Sequence, residues 1–141
     1  MDRIAVAKEM MSKGYNCAQA VAVAFSDLME VDRSDLIKLA APFGKGFGGK
    51  ESLCGAVSGM GFVFGLIYAD LNPENKRWTL EETAKLADAF LKKYGSLTCS
   101  ELLKRKEIEP GFSCVEYVIG AVKIINDRIE EQKLGFKADE T

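Results

Sequence analysis

Hydrophobic residues recur every three to four positions along most of this chain, which is the spacing of one face of an α-helix. No segment alternates apolar and polar residues with the period of two that is typical of a half-buried β-strand. Glycine and proline separate the periodic segments, at Gly14, Pro42 to Gly49, Asn72-Pro73, Gly95 and Pro110-Gly111. The pattern predicts helices over residues 2–13, 17–30, 34–41, 53–70, 80–94, 99–105 and 114–132.

These elements predict an all-α fold. The chain has 141 residues, close to the commonest size of one domain, and shows no repeat or change in composition that would divide it. We therefore expect one domain over residues 1–141, a bundle of about six to seven helices around a central apolar, glycine-rich helix. The polar end, residues 133–141, is expected to fray.

Two of the predicted helices carry continuous apolar stripes that we expect to face the core. The stripe of the fifth helix consists of Leu80, Ala84, Ala87, Leu91 and Tyr94. The stripe of the last helix consists of Val115, Val118, Val122, Ile125 and Ile129. A capping-box sequence, Thr79-Leu80-Glu81-Glu82, predicts where the fifth helix begins.

The glycine-rich segment before Cys54 nearly matches a phosphate-binding loop. Gly44-Lys-Gly-Phe-Gly-Gly49-Lys50-Glu51 follows the pattern G-x-x-x-x-G-K-[ST] except at Glu51, which replaces the hydroxyl that binds Mg²⁺. No strand leads into the segment, so nucleotide binding is not expected. We interpret it as a flexible loop that lets the backbone approach a site at Cys54, with Lys45 and Lys50 exposed.

The uncharged segment from Ser52 to Ala69 is close to the length of a membrane-spanning helix. It also carries glycines in the G-x-x-x-G spacing that brings membrane helices together, namely Gly55, Gly59, Gly61 and Gly65. However, Lys50-Glu51 and Asp70 flank it closely, and its predicted neighbours are amphipathic. These features favour a central helix of a soluble bundle over a membrane span.

Composition narrows the partners and the compartment. The sequence has 19 Lys and Arg against 21 Asp and Glu, a net charge of −2, and no basic stripe, so no nucleic-acid partner is expected. The charged start Met1-Asp-Arg-Ile-Ala-Val-Ala-Lys-Glu9 leaves no room for a secretory signal, so we expect a cytoplasmic protein. In a reducing compartment, four cysteines point to metal binding or redox chemistry and not to a static disulfide framework.

Each of the four cysteines is predicted to lie in the first turn of a different helix. Three occur within capping-box sequences, in which a polar N-cap residue precedes the cysteine and Gln or Glu follows two positions later. These sequences are Asn16-Cys17-Ala18-Gln19, Thr98-Cys99-Ser100-Glu101 and Ser113-Cys114-Val115-Glu116. Cys54 lies at the second helical position if Ser52 is the cap. Capping explains Glu101 and Glu116, so we do not assign them a catalytic role.

A helix start favours the charged form of a cysteine. Free N–H groups and the positive end of the helix dipole, about +0.5 charge, stabilise a thiolate and lower the thiol pKa. If four starts converged, their combined charge of about +2 would offset four thiolates around a divalent Zn²⁺ or [4Fe–4S]²⁺ centre. Histidine is absent, which excludes Cys–His hydrolases, histidine-containing zinc sites and histidine-ligated haem. Four cysteines without a shared role, or a reversible Cys99–Cys114 disulfide, stay open as alternatives.

The arrangement of these residues resembles a known family, the C_GCAxxG_C_C family of small proteins for which redox activity is expected. The resemblance is carried by Gly14-Tyr-Asn-Cys17-Ala-Gln19, Gly48-Gly49, Cys54-Gly55-Ala56-x-x-Gly59, Cys99 and Cys114. It implies that Cys17, Cys54, Cys99 and Cys114 are the defining cysteines and that Gly55, Ala56 and Gly59 complete the central motif. Related domains adjoin haem-binding segments in some cytochromes, but this chain lacks a haem attachment motif, so that role is not transferred.

We therefore expect a small redox protein whose four cysteines form one site that binds an iron–sulfur cluster and transfers electrons. The glycines and Ala56 of the motifs are candidate cofactor-binding residues, namely Gly48, Gly49, Gly55, Ala56 and Gly59. One alternative is a metal-free protein in which the four cysteines undergo thiol–disulfide exchange, and another is a structural zinc site or a helical interaction module. An unidentified redox partner protein is expected, and association of two copies is left open.

Overall fold

The computed structural model describes the backbone of residues 2–140 and the side chains of residues 2–133. Within this part of the chain there are seven α-helices and no named strand, which confirms the all-α prediction. The helices are α1 (Arg3–Ser12), α2 (Cys17–Ala24), α3 (Arg33–Ala40), α4 (Gly55–Tyr68), α5 (Lys76–Tyr94), α6 (Cys99–Ile108) and α7 (Cys114–Glu140). Short 3₁₀ turns lie at Ser26–Leu28, Ala41–Phe43 and Pro73–Asn75. The predicted frayed end falls almost wholly outside the described side chains and stays a prediction.

The glycine-rich helix α4 lies at the centre of the bundle, as predicted, and packs against α2, α5 and α7. Its side chains Met60, Val63 and Phe64 are buried in the main core. Among the described residues, no helix has the length and apolar character needed to cross a membrane.

The closest helix packing in the fold is between α2 and α4, and two glycines make it possible. A Cβ atom added at Gly59 would lie 2.7 Å from Cβ of Val21, and one added at Gly55 would lie 3.2 Å from Cβ of Cys17. The first distance is shorter than real Cβ contacts, and the second is tight enough that Cys17 would have to shift by a few tenths of an ångström. The two glycines therefore let the backbone of α4 approach the start of α2, which brings Cys17 beside the residues around Cys54.

Helix α5 differs from its prediction in both its start and its buried face. It begins at Lys76, and Thr79 donates its hydroxyl to the carbonyl of Asn75 instead of capping a helix. Of the predicted stripe only Tyr94 is buried; the buried residues of this helix are Glu82, Leu86, Phe90 and Tyr94. The predicted stripe was wrong because the buried face includes Glu82, which was predicted only as part of a capping box and lies inside against Arg128 of α7. The α7 stripe is confirmed, except that Val115 is exposed.

The loop between Phe43 and Leu53 is closed by its own backbone. The N–H groups of six consecutive residues, 47–52, donate to carbonyl oxygens of residues 42–47. Gly46 is required in this turn because it has a φ of +71° and an added Cβ would lie 2.5 Å from the nitrogen of Ser52. Since these six amides are already bonded, they are not available to a phosphate group. The loop is compact, and Lys45 and Lys50 are exposed as predicted, whereas its flexibility stays a prediction.

Candidate functional site

All four cysteines line one cavity, whose volume is about 240 Å³. Each comes from a different helix start: Cys17 from α2, Cys54 from α4, Cys99 from α6 and Cys114 from α7. Cys54 and Cys99 are buried, whereas Cys17 and Cys114 are half-buried. The helix starts that the sequence predicted separately therefore meet at one place in the fold.

The capping box predicted at the start of α2 positions Cys17. The side-chain oxygen of Asn16 accepts a hydrogen bond of 2.9 Å from the N–H of Gln19, and the N–H of Asn16 donates to the side chain of Gln19 at the same distance. The side-chain NH₂ of Asn16 donates to the carbonyl of Ala41, and the side-chain NH₂ of Gln19 donates to the carbonyl of Ile37. These two bonds connect the start of α2 to α3 and to the turn that follows α3. Cys17 is thus held at the first position of a firmly capped helix.

Cys54 and Cys99 are placed by a short antiparallel backbone pairing that the sequence did not predict. Leu53 and Thr98 form an isolated β-bridge. Next to it, the N–H of Cys54 donates to the carbonyl of Leu97 at 2.9 Å, and the N–H of Cys99 donates to the carbonyl of Ser52 at 2.6 Å. This pairing, which depends only on the backbone, fixes the starts of α4 and α6 side by side.

Cys114 is positioned by Ser113 and by an aromatic residue one turn further along α7. The N–H of Glu116 donates to the Ser113 hydroxyl at 3.1 Å, so half of the predicted capping box is present. The buried hydroxyl of Tyr117 donates to the carbonyl of Leu102 at 2.7 Å. Since Leu102 follows Cys99 by one turn, this bond holds α6 and α7 together close to the two cysteines.

Two details of the predicted caps were wrong. Cys54 is itself the N-cap residue of α4 and not the second helical residue, and the carbonyl of Cys54 accepts from the N–H of Ser58. Thr98 precedes α6 but its side chain makes no capping bond. The backbone pairing accounts for both differences: Cys54 is held to Leu97 before α4 begins, and the first N–H groups of α6, those of Cys99 and Ser100, donate to the carbonyls of Ser52 and Glu51.

The Cys17 and Cys114 thiols shift each other's pKa in opposite directions. A hydrogen bond from the Cys17 thiol to the Cys114 sulfur, assisted by the Lys106 charge and opposed by burial, lowers the pKa of Cys114 to about 6. The same bond raises the pKa of Cys17, and burial and the charges of the other three cysteines raise it further. A thiolate at Cys114, stabilised by a protonated Cys17, is therefore the favoured state of the pair near neutral pH.

Burial controls the other two thiols. It raises the pKa of Cys54 to about 11, although the N–H groups of Ala56 and Val57 act in the opposite direction. At Cys99, burial and the charges of Cys114 and Glu51 raise the pKa against the pull of Lys45. The predicted lowering of the thiol pKa at every helix start was thus right in direction only for Cys114, where the hydrogen bond with Cys17 is the main cause. At Cys17 that same bond raises the pKa, and at Cys54 and Cys99 desolvation does so.

The donor set suits a thiolate-ligated centre. All four thiols are free, and each acts electrostatically on at least one other. Within the described residues, no group of three or more His, Cys, Asp or Glu side chains is arranged to hold one metal ion. The cavity walls between the sulfurs are almost entirely apolar, with side chains from Met11, Leu102, Leu103 and Tyr117.

Only one of the predicted cofactor-binding residues lines the cavity, and that residue is Gly55. Ala56 and Gly59 are buried on α4, where Gly59 contacts α2. Gly48 and Gly49 are exposed in the loop, with φ values of +61° and +75°. Ala56 and Gly59 therefore have packing roles, and Gly48 and Gly49 have turn roles. Contact of these residues or of Gly55 with a cofactor stays a prediction.

Several cavity residues were not identified from the sequence. Leu102 and Leu103 follow Cys99 by three and four positions, and Tyr117 follows Cys114 by three. Residues at those separations share a face of a helix, so the positions after each cysteine could have indicated them. Met11 has no such signal, because it comes from α1, which carries no cysteine.

Comparison with known proteins gives one match. A family model described as "Putative redox-active protein (C_GCAxxG_C_C)" matches residues 15–128, a range that includes all four cysteines. No curated protein and no solved structure matches the chain significantly.

Proposed function

Because the chain belongs to the C_GCAxxG_C_C family, we propose that it is a redox protein whose four cysteines together bind an iron–sulfur cluster and transfer electrons. The observation that carries the proposal is the convergence of four cysteines, from four helix starts, on one cavity. A disulfide requires only two cysteines, whereas a cluster is commonly held by four thiolates. The convergence of all four is therefore best explained by a cluster.

The size and lining of the cavity also favour a cluster over a zinc ion. Sulfurs around a tetrahedral zinc lie about 3.8 Å apart, given Zn–S bonds of about 2.3 Å, and leave almost no empty space between them. A cavity of about 240 Å³ is larger than one ion needs. Its apolar walls would exclude water from a bound centre, and low solvent access is one of the factors that set a reduction potential.

The chain's own residues would perform three tasks. The Cys17, Cys54, Cys99 and Cys114 thiolates would ligate the cluster, which supplies one-electron chemistry when bound. The helix starts would offset part of the thiolate charge. The backbone pairing between the Cys54 and Cys99 segments would keep two of the ligands in place whether or not the centre is filled.

A specific observation favours a second candidate, thiol–disulfide exchange at Cys17 and Cys114. The hydrogen bond with Cys17 lowers the pKa of Cys114 to about 6, the low value of an attacking thiol, and both sulfurs line the same cavity. In this reaction the Cys114 thiolate attacks an external disulfide and releases one thiolate. Cys17 then loses its proton and displaces the second thiolate, so the substrate gains two electrons and the Cys17–Cys114 disulfide forms.

The same proposal places the protein in the cytoplasm, where a reducing environment keeps the four thiols available, and gives it a redox partner protein. Association of two copies stays a prediction that no contact in the structure addresses.

The decisive experiment is anaerobic purification followed by reconstitution with iron and sulfide. We expect a coloured protein that contains iron and sulfide, and loss of most of both in each of C17A, C54A, C99A and C114A. Ser58→Ala, on α4 one turn after Cys54, is the matched control and should retain the cluster, because Ser58 does not line the cavity. A colourless, iron-free protein after reconstitution would overturn the cluster proposal.

The exchange candidate is tested on the same preparation without metal. Alkylation after mild oxidation, followed by mass analysis, should show Cys17 and Cys114 protected as a pair and Cys54 and Cys99 still reactive once the chain is unfolded. If all four thiols alkylate equally before and after oxidation, the exchange candidate fails as well.

A further inference from the structure

A second, open groove adjoins the cysteine cavity and shares Lys45 and Leu103 with it. Its volume is about 590 Å³, and it lies between the loop after α3 and the outer face of α6. Its charged side chains are Lys45, Lys104, Lys106, Glu51 and Glu107, of which Glu51 is half-buried and the other four are exposed. We call this feature the lysine groove.

The lysine groove carries a small excess of positive charge. Within the described residues none of them forms an ion pair, whereas Arg105 between Lys104 and Lys106 pairs with Glu109. Glu51 and Glu107 are also without ion pairs, so the groove has a net charge of +1 on a chain whose net charge is −2. The positive charge therefore stands out against the rest of the protein.

The groove reaches the cysteine cavity. Lys45 lines both, and Lys104 and Lys106 lie on α6, the helix that begins at Cys99. A molecule bound across these lysines would thus be held close to the redox site.

We propose that the lysine groove docks the acidic face of a redox partner protein, which brings the partner's own redox centre next to the cysteine cavity. The inference rests on the proposed redox function. A small ligand fits less well, because small-molecule sites bury most of the ligand among apolar side chains, whereas the lysines here are exposed. Exposed lysines around a half-buried apolar residue, Leu103, match the polar rim and apolar centre of a protein interface.

The first test compares charged electron acceptors on the reconstituted protein. One electron passes from the reduced site to anionic hexacyanoferrate(III) or to cationic hexaammineruthenium(III), and stopped-flow absorption gives both rates. At low ionic strength we expect K45Q/K104Q/K106Q to lower the anion-to-cation rate ratio by about tenfold or more, and added salt to remove the difference. E51Q/E107Q should raise the ratio.

A matched control separates the groove from net charge. The triple variant K38Q/K92Q/K123Q removes the same charge from exposed lysines that line neither the groove nor the cavity. Its rate ratio should stay near that of the unchanged protein. If both triple variants lower the ratio equally, the effect belongs to overall charge and the proposal is wrong.

A second test distinguishes a protein face from a small anion. Poly-L-glutamate, which presents carboxylates on a chain, should slow the reaction with hexacyanoferrate(III), and the inhibition should be lost in K45Q/K104Q/K106Q. Free glutamate at the same carboxylate concentration and ionic strength should have little effect. Equal inhibition by both would mean that the groove takes small carboxylates and would overturn the docking proposal.

A third test does not require a cluster, so failure of the groove and failure of the cluster can be told apart. On the reduced, metal-free full chain, the Cys114 thiolate displaces iodide from anionic iodoacetate or neutral iodoacetamide, and mass analysis gives the two rates. We expect the iodoacetate-to-iodoacetamide ratio to fall by about threefold or more in K45Q/K104Q/K106Q and to stay the same in K38Q/K92Q/K123Q. An unchanged ratio in the groove variant contradicts the proposal even if a cluster forms.

Discussion

The backbone N–H of Cys54 donates to the carbonyl oxygen of Leu97 at 2.9 Å, so the residue that begins the central helix is fixed to the segment that precedes Cys99. The reverse bond, from the N–H of Cys99 to the carbonyl of Ser52, completes the link. The first amides of a helix normally have no backbone partner. At these two helix starts the partner comes from the other start, so each positions the other.

This link predicts a difference in amide hydrogen exchange among the four cysteines of the reduced, metal-free protein. The backbone N–H groups of Cys54 and Cys99 donate hydrogen bonds. Within the described residues, the backbone N–H groups of Cys17 and Cys114 donate to no backbone carbonyl. Exchange followed by NMR should therefore be at least about tenfold slower at Cys54 and Cys99. Similar protection at all four would mean that the pairing does not persist in solution.

Local signals predicted much of the site. The Asn16-to-Gln19 capping box and the helix starts at Cys99 and Cys114 depend on residues within one turn of each other, so they can be read from short sequences. The central position of α4 was predicted from a longer signal, the uncharged run from Ser52 to Ala69. The resemblance to the family drew attention to the same four cysteines. What the sequence left open was whether they meet, because that depends on how four helices pack.

Non-local partners explain what the sequence did not predict. Glu82 lies on the buried face of α5 because Arg128, 46 residues later, pairs with it, and a charged residue considered alone is assigned to the surface. The Leu53–Thr98 bridge involves too few residues to produce any alternation. Both features join segments that are distant in sequence, so no window of neighbouring residues contains the signal.

The contact between α2 and α4 predicts opposite effects for two glycines of the same helix. Gly59→Ala places a Cβ atom 2.7 Å from Cβ of Val21, so the helices must separate, and we expect a loss of about 1–3 kcal/mol in the free energy of unfolding. Gly61→Ala has open space around it and should stabilise by about 0.5–1 kcal/mol, because alanine favours a helix. Denaturant unfolding of the metal-free protein measures both. Equal effects would show that Gly59 has no special packing role.

The hydrogen bond between Cys17 and Cys114 predicts how the alkylation rate of Cys114 depends on pH. In the reduced, metal-free protein, the rate at Cys114 should rise with pH through a midpoint near its pKa of about 6, since only the thiolate reacts. Cys17→Ala removes the donor, so the midpoint should move up toward about 8.5. The midpoint is the quantity to compare, because a thiolate of higher pKa is also a better nucleophile. It is measured by iodoacetamide modification at a series of pH values with mass analysis.

Two variants control this prediction. Cys99→Ala should leave the Cys114 midpoint unchanged, because Cys99 does not contribute to that pKa, whereas Lys106→Gln should raise it by less than Cys17→Ala does. If the Cys114 midpoint stays near 6 in Cys17→Ala, the hydrogen bond with Cys17 is not what lowers the pKa of Cys114.

The ion pair between Glu82 and Arg128 predicts a large effect on stability from a position outside the cysteine site. Glu82 is 7% exposed, so Glu82→Ala leaves the Arg128 guanidinium without its buried partner, and we expect a loss of about 2–3 kcal/mol. Glu81→Ala, whose ion pair with Arg77 is exposed, should change stability by less than about 0.5 kcal/mol. Glu82→Leu combined with Arg128→Met should recover most of the loss, because apolar side chains can fill the same space without desolvating charges. Denaturant unfolding tests all three. If Glu82→Ala and Glu81→Ala have equal effects, the buried pair does not hold α5 against α7.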